Sequence, residues 1–115
     1  MPADPPPLVT HWERTLGEIM DKTTRFPRTL RYTLSARIDL LGIHVLERLS
    51  EARFAPPGRC HELLREVDAS LLRLRVLLRL AESRQCLDPR GYEHLIRHVD
   101  PAGRMVGGWL RGRAP

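Results

Sequence analysis

Lysine is almost missing from this chain. Lys22 is the only one among 19 basic residues, so 18 are arginine. A guanidinium grips phosphate through two parallel hydrogen bonds and stacks on bases, and an ammonium does neither. Cysteine is scarce too. Cys60 and Cys86 are the only two, too few for a disulfide framework. The opening MPADPPPL is acidic and proline-rich with no apolar core, which predicts no signal peptide. No apolar run approaches the ~20 residues of a membrane span. Together these absences predict a cytoplasmic protein with reduced thiols and no membrane partner.

At 115 residues the chain fits one domain with a modest core. The net charge is +5 and the pI near 10.2. From Met1 to Lys22 four acids outnumber two bases, so the remainder carries all the positive excess. That distribution favours a polyanionic partner, nucleic acid above all. The alternative use of the charge is a solvated, soluble surface.

Met1–Pro7 reads as a disordered proline-rich lead, residues 8–111 as the folded domain, and residues 112–115 as a frayed basic tail. Leu8, Trp12, Leu16, Ile19 and Met20 recur at helical spacing and predict a first helix over Leu8–Thr23. Phe26-Pro27 ends it, because a residue before proline is pushed out of the α region. A second helix is predicted over Pro27–Arg53, with Leu30, Leu34, Ile38, Leu41, Val45 and Leu49 as its main stripe. Ala55-Pro56-Pro57-Gly58 is a turn. The third helix starts near Cys60 and ends before Leu87-Asp88. Asp88-Pro89 then reads as a cap with proline in the first turn. The fourth helix carries Tyr92, Leu95, Ile96, Val99, Val106 and Leu110 near one face, and Pro101 inside it predicts a kink or short break. No strand pattern competes. Long helices joined by short connections pack as antiparallel neighbours, so the fold class is all-α, an up-down-up-down four-helix bundle.

Glu62–Arg84 is the stretch around which the rest is organised. Leu63, Val67, Leu71, Leu74, Leu78 and Ala81 make one apolar stripe at about 100° per residue. Leu72, Val76 and Leu80 make a second on the opposite side. The second helix repeats this with Tyr32, Ala36, Leu40 and Ile43. A short chain covers only one face of such helices with its own core, so the second faces predict a homo-oligomer. The predicted interface is Tyr32, Leu40, Ile43, Leu72, Val76 and Leu80.

Chemistry-bearing constellations are sparse. His94 and His98 stand at i, i+4 on one helix face, the spacing of a metal pair, but no third ligand is placed by the sequence. Two surface or interfacial histidines are the expectation, with no metal and no cofactor. Cys60-His61 lacks ligand spacing. Gly107-Gly108 is followed by Trp109, not by the lysine of a phosphate loop. Glu62, Glu66 and Asp68 fit the charge bias of a helix start better than an acid/base pair. No catalytic residue is assigned, and an enzyme is not expected.

The basic residues carry more information. Arg25, Arg28, Arg31 and Arg37 surround the start of the second helix, with Phe26 and Tyr32 among them. A helix N-terminus favours acids through its dipole, so arginines gathered there fit phosphate contact. Arg73, Arg84, Arg104, Arg111 and Arg113 extend the candidate nucleic-acid surface. Intramolecular ion pairing at a solvated helix end is the competing reading.

Three segments carry a family resemblance. They are Phe26-Pro27-Arg28 with LRYTL and Arg37-Ile38, then LLRLRVLLRLA over 71–81, and Gly91-Tyr92-Glu93-His94 followed by GRMVGGWL over 103–110. Together the chain, from about Leu8 to Arg111, resembles the accessory variability determinant (Avd) proteins of diversity-generating retroelements. A broader superfamily includes the four-helix bundles encoded by intervening sequences of 23S ribosomal RNA genes. The resemblance implies a homopentameric barrel of bundles and nucleic-acid binding without strong sequence preference. It also implies association with an error-prone reverse transcriptase during mutagenic copying of template RNA into cDNA, with no catalysis by the bundle itself. An RNA-associated bundle of the intervening-sequence type and a purely structural oligomerisation module are the alternatives.

Overall fold

The computed structural model describes residues 7–112. Of the expected lead Met1–Pro7 only Pro7 is described, and it opens the first helix; of the expected tail 112–115 only Gly112 is, so that the rest, Arg113 included, lies outside the described residues. Four helices account for most of them: α1 Pro7–Thr23, α2 Ala36–Ala52, α3 Pro57–Ser83 and α4 Pro89–Leu110. Among the described residues there is no strand. None of the helices there is long and apolar enough to cross a membrane.

The helices form a closed square. α2 packs on α1 and α3, and α4 packs on α3 and α1. Side-chain pairs fix the directions. Trp12 of α1 donates to the Gly42 carbonyl of α2 at 2.9 Å, and Arg48 of α2 pairs with Glu66 of α3 at 2.8 Å. Arg75 of α3 pairs with Asp100 of α4, and Glu18 of α1 meets His94 of α4. Every neighbour is antiparallel, in a body of 42 × 24 × 24 Å. The predicted core stripe of α3 is buried from Leu63 to Ala81, and Ile38, Val45 and Leu49 face it from α2. Each such side chain contributes roughly 1.5–3 kcal/mol before chain entropy is subtracted. α1 and α2 come especially close at Gly42, where a Cβ would stand 2.5 Å from Leu16 Cδ1.

Three local expectations need correction. The second α-helix does not begin at Pro27. A tight 3-10 turn over Arg28–Leu30 and a wide π-helical turn over Arg31–Ser35 come first. Pro27 keeps an extended backbone (ψ 140°), and Leu30 leaves the helical region at φ −103°, ψ 4°. The tight turn followed by the wide one re-phases the chain, so that Leu34 joins Ile38 in the core while Tyr32 stays 86% exposed. The third helix begins at Pro57, earlier than Cys60, because proline fits the first turn where no donor is needed.

α4 is the third correction, since it runs through Pro101 without a break. An interior proline costs about 3 kcal/mol through its missing donor and its clash one turn back. Val99, Ala102 and Val106 are fully buried on both sides of it, and that packing holds the helix together. A proline also loosens the ladder in the preceding turn. There the His98 carbonyl, three residues before Pro101, accepts from His11 Nε2 of α1 at 2.6 Å. The start of α4 is as expected: Asp88 Oδ1 accepts from the Gly91 N–H at 2.6 Å.

Candidate nucleic-acid interface

All eight candidate arginines of the described residues are exposed: Arg25, Arg28, Arg31, Arg37, Arg73, Arg84, Arg104 and Arg111. The bundle does not gather them in one place. Arg25, Arg28 and Arg31 cluster at the corner between α1 and α2. Arg84 closes α3, and the antiparallel order brings that helix end to the same end of the bundle. Arg90, in the first turn of α4, belongs to this end as well. Nothing local in the sequence marks it as a candidate. Arg37 and Arg73 face each other across a shallow depression between α2 and α3, with Leu40, Leu41, His44 and Ser70. Arg104 and Arg111 lie towards the far end of α4 and are separate from the corner.

At the corner the π-helical turn opens a cleft of about 530 Å³. Arg28, Arg31 and Tyr32 line it together with Phe26, Ser35 and Asp39. The exposed Tyr32 ring beside two guanidiniums is the combination that single-stranded nucleic acid uses, stacking for a base and charge for its phosphates. Ser35 Oγ is buried without a protein hydrogen-bond partner. Asp39 accepts from Thr23 Oγ1 at 2.7 Å. Burial pushes its carboxyl above the usual carboxylate range, and the Thr23 hydroxyl opposes that rise.

Ion pairing holds only four of the described arginines. Arg48, Arg59, Arg75 and Arg97 are held by carboxylates at 2.8–3.3 Å. Gly103 makes room for one of them, since a Cβ there would lie 2.6 Å from the Arg75 guanidinium that reaches Asp100. None of the ion pairs among the described residues involves the eight candidates.

The predicted second faces are apolar and open. Tyr32 is 86% exposed, Leu40 and Leu72 62%, Val76 58% and Leu80 45%, while Ile43 is half-buried. The outer surface of α3 and the adjoining part of α2 therefore present apolar side chains bordered by Arg37 and Arg73.

The histidine pair on α4 meets a carboxylate from elsewhere in the chain. Glu18 of α1 places Oε2 3.2 Å from His94 Nε2, and His98 stands next to both. The hydrogen bond to His94 holds the Glu18 carboxyl below its usual range. The two cysteines are free, and burial pushes the Cys60 thiol up, away from a reactive thiolate.

Fold and surface together define a class: a small basic helical bundle with arginines unpartnered by acids and an open apolar flank. A family model described as bAvd-like matches residues 8–112, and the chain belongs to that family. This Avd-type membership agrees with the resemblance of the LRYTL and GRMVGGWL segments, and it points to an accessory role in diversity-generating retroelements. No curated protein and no solved structure matches the chain significantly.

Proposed function

We propose that this protein is a non-catalytic, nucleic-acid-binding accessory subunit of a diversity-generating retroelement. It assembles as a homo-oligomer, a pentamer by family resemblance, and joins the element's reverse transcriptase in mutagenic cDNA synthesis. The observation that carries the reading is the free basic surface: all eight candidate guanidiniums are exposed and outside every ion pair among the described residues. Leaving that much like charge unneutralised on one small chain destabilises it through self-repulsion, and a polyanion relieves this. The cleft at the α1–α2 corner gives the phosphates a base-stacking neighbour in Tyr32. The apolar outer face of α3 supplies the surface between copies, and a ring multiplies each basic patch around its axis.

The test is binding of a fluorescent single-stranded RNA to the full chain between 50 and 200 mM salt. Contact with six phosphates of a single strand lowers affinity by roughly 2.5 orders of magnitude over that range. Affinity independent of salt, or absent at the low end, contradicts the proposal. Co-purification of the reverse transcriptase encoded beside the gene tests the partner.

A further inference from the structure

The groove between α1 and α4 is the one edge of the square that no loop closes. α1 is linked to α2, α2 to α3 and α3 to α4 by short connections, whereas α1 and α4 are joined only by packing and by side chains. Those side chains are unusual. His11 of α1 donates to the His98 carbonyl and stacks on the His98 ring, with centroids 6.2 Å apart and planes 26° from parallel. His94 and His98 meet edge to face at 4.8 Å. Glu18 reaches across from α1 to His94, and the donor atoms of Glu18, His94 and His98 all lie within 4.8 Å of one another.

We infer that Glu18, His94 and His98 form a site for a divalent transition metal of the zinc type, clamping the first helix to the last. Two imidazoles and one carboxylate are the donor set that zinc takes in three-ligand sites, with water in the fourth position. Zinc bonds of about 2.0–2.2 Å in a tetrahedron put donor atoms about 3.3 Å apart. Glu18 and His94 are already at 3.2 Å, and rotation of exposed side chains closes the rest. The His94 and Glu18 side chains are 46% and 39% exposed, so an ion enters and its water completes the shell. The imidazoles select zinc, nickel or copper over magnesium and calcium, which prefer all-oxygen sites. The inference stands apart from the nucleic-acid reading, since no candidate arginine belongs to the site.

The experiment is calorimetric titration of the chelator-stripped full chain with zinc chloride, with magnesium chloride as the hard-cation control. The expected result is one zinc per chain, no magnesium binding, and a melting temperature raised by zinc. Losing an outer-shell partner alone costs metal sites about 10–100-fold, so Glu18→Gln and His98→Asn each weaken zinc by at least roughly tenfold and abolish the thermal shift. Circular dichroism verifies that the variants fold. Should either fail to fold, the imidazole nitrogen resonances of the parent decide, because zinc must move His94 and His98 and leave His61 in place. Zinc binding at parental affinity in a folded variant overturns the inference. Absence of saturable binding in the parent, or zinc-induced changes confined to Cys60 and His61, overturns it as well.

Discussion

The outer face of α3 and the α1–α4 groove lie on different sides of one core, and they are finished differently. On α3, Leu72, Val76 and Leu80 stand open beside Arg73, and nothing among the described residues covers them. In the groove the partly exposed groups are polar, and they answer one another: His11 with the His98 backbone, Glu18 with His94. A surface whose polar groups pair within the chain is complete in the single copy. A surface that exposes leucines at helical spacing is not, and burying it contributes free energy only when something else arrives. The difference fits the proposed assembly, in which copies meet through α3 while α4 and α1 close the bundle.

That contrast can be broken most visibly by Leu72→Glu with Leu80→Glu. These changes put carboxylates on the open face and leave the core untouched. Light scattering should find the parent as a multiple of 13.2 kDa and the double variant as the monomer. A parent that is monomeric at micromolar concentration, or a variant that stays assembled, removes the interface. A sharper form uses two substitutions on one helix. Leu74→Ala, on the fully buried stripe, should cost about 2–5 kcal/mol in chemical unfolding. Val76→Ala, on the open stripe, should change stability by less than about 0.5 kcal/mol when both substitutions are made in the monomeric Leu72→Glu/Leu80→Glu variant. Comparable costs at the two positions would mean that the faces do not differ as described.

Smaller effects probe how the closed part is held. Trp12→Phe removes the indole donor to the Gly42 carbonyl, and about 1 kcal/mol of hydrogen bonding goes with it, together with some packing. Unfolding free energy unchanged in this variant would discount that bond. Gln85, just beyond α3, has φ 64°, a left-handed conformation in a residue other than glycine. Such a conformation costs an L-residue about 1–2 kcal/mol. Gln85→Gly should therefore raise stability by about 1 kcal/mol, seen as a melting temperature a few degrees higher.

The two surfaces also differ in how far the sequence discloses them. The open face of α3 is legible because its members repeat within one helix, and periodicity needs only the helix pitch. The core stripes from Ile38 to Leu49 and from Leu63 to Ala81 are legible for the same reason. The groove is only half legible. His94 and His98 announce a pair by spacing, but Glu18 stands 76 residues from His94, and only the folded square brings it there. The same limit separates Arg104 and Arg111 from the α1–α2 corner, and it adds Arg90. At Pro27 and Pro101 local chemistry misleads in opposite directions. The chain after Pro27 departs from the α-helix to seat Leu34, and the chain at Pro101 stays helical because burial on both sides holds it. Tertiary packing outweighs local preference in both places.

The most direct test of the central claim compares the salt dependence of RNA binding by the parent with that of Arg28→Glu/Arg31→Glu. Each phosphate contact on a single strand contributes about 0.7 to the slope of log affinity against log salt. Removing two contacts per chain should make the slope shallower by about 1.4 and weaken binding at low salt. A variant with the parent's slope and affinity, folded and assembled as before, would contradict the claim that the arginines at the α1–α2 corner hold nucleic acid.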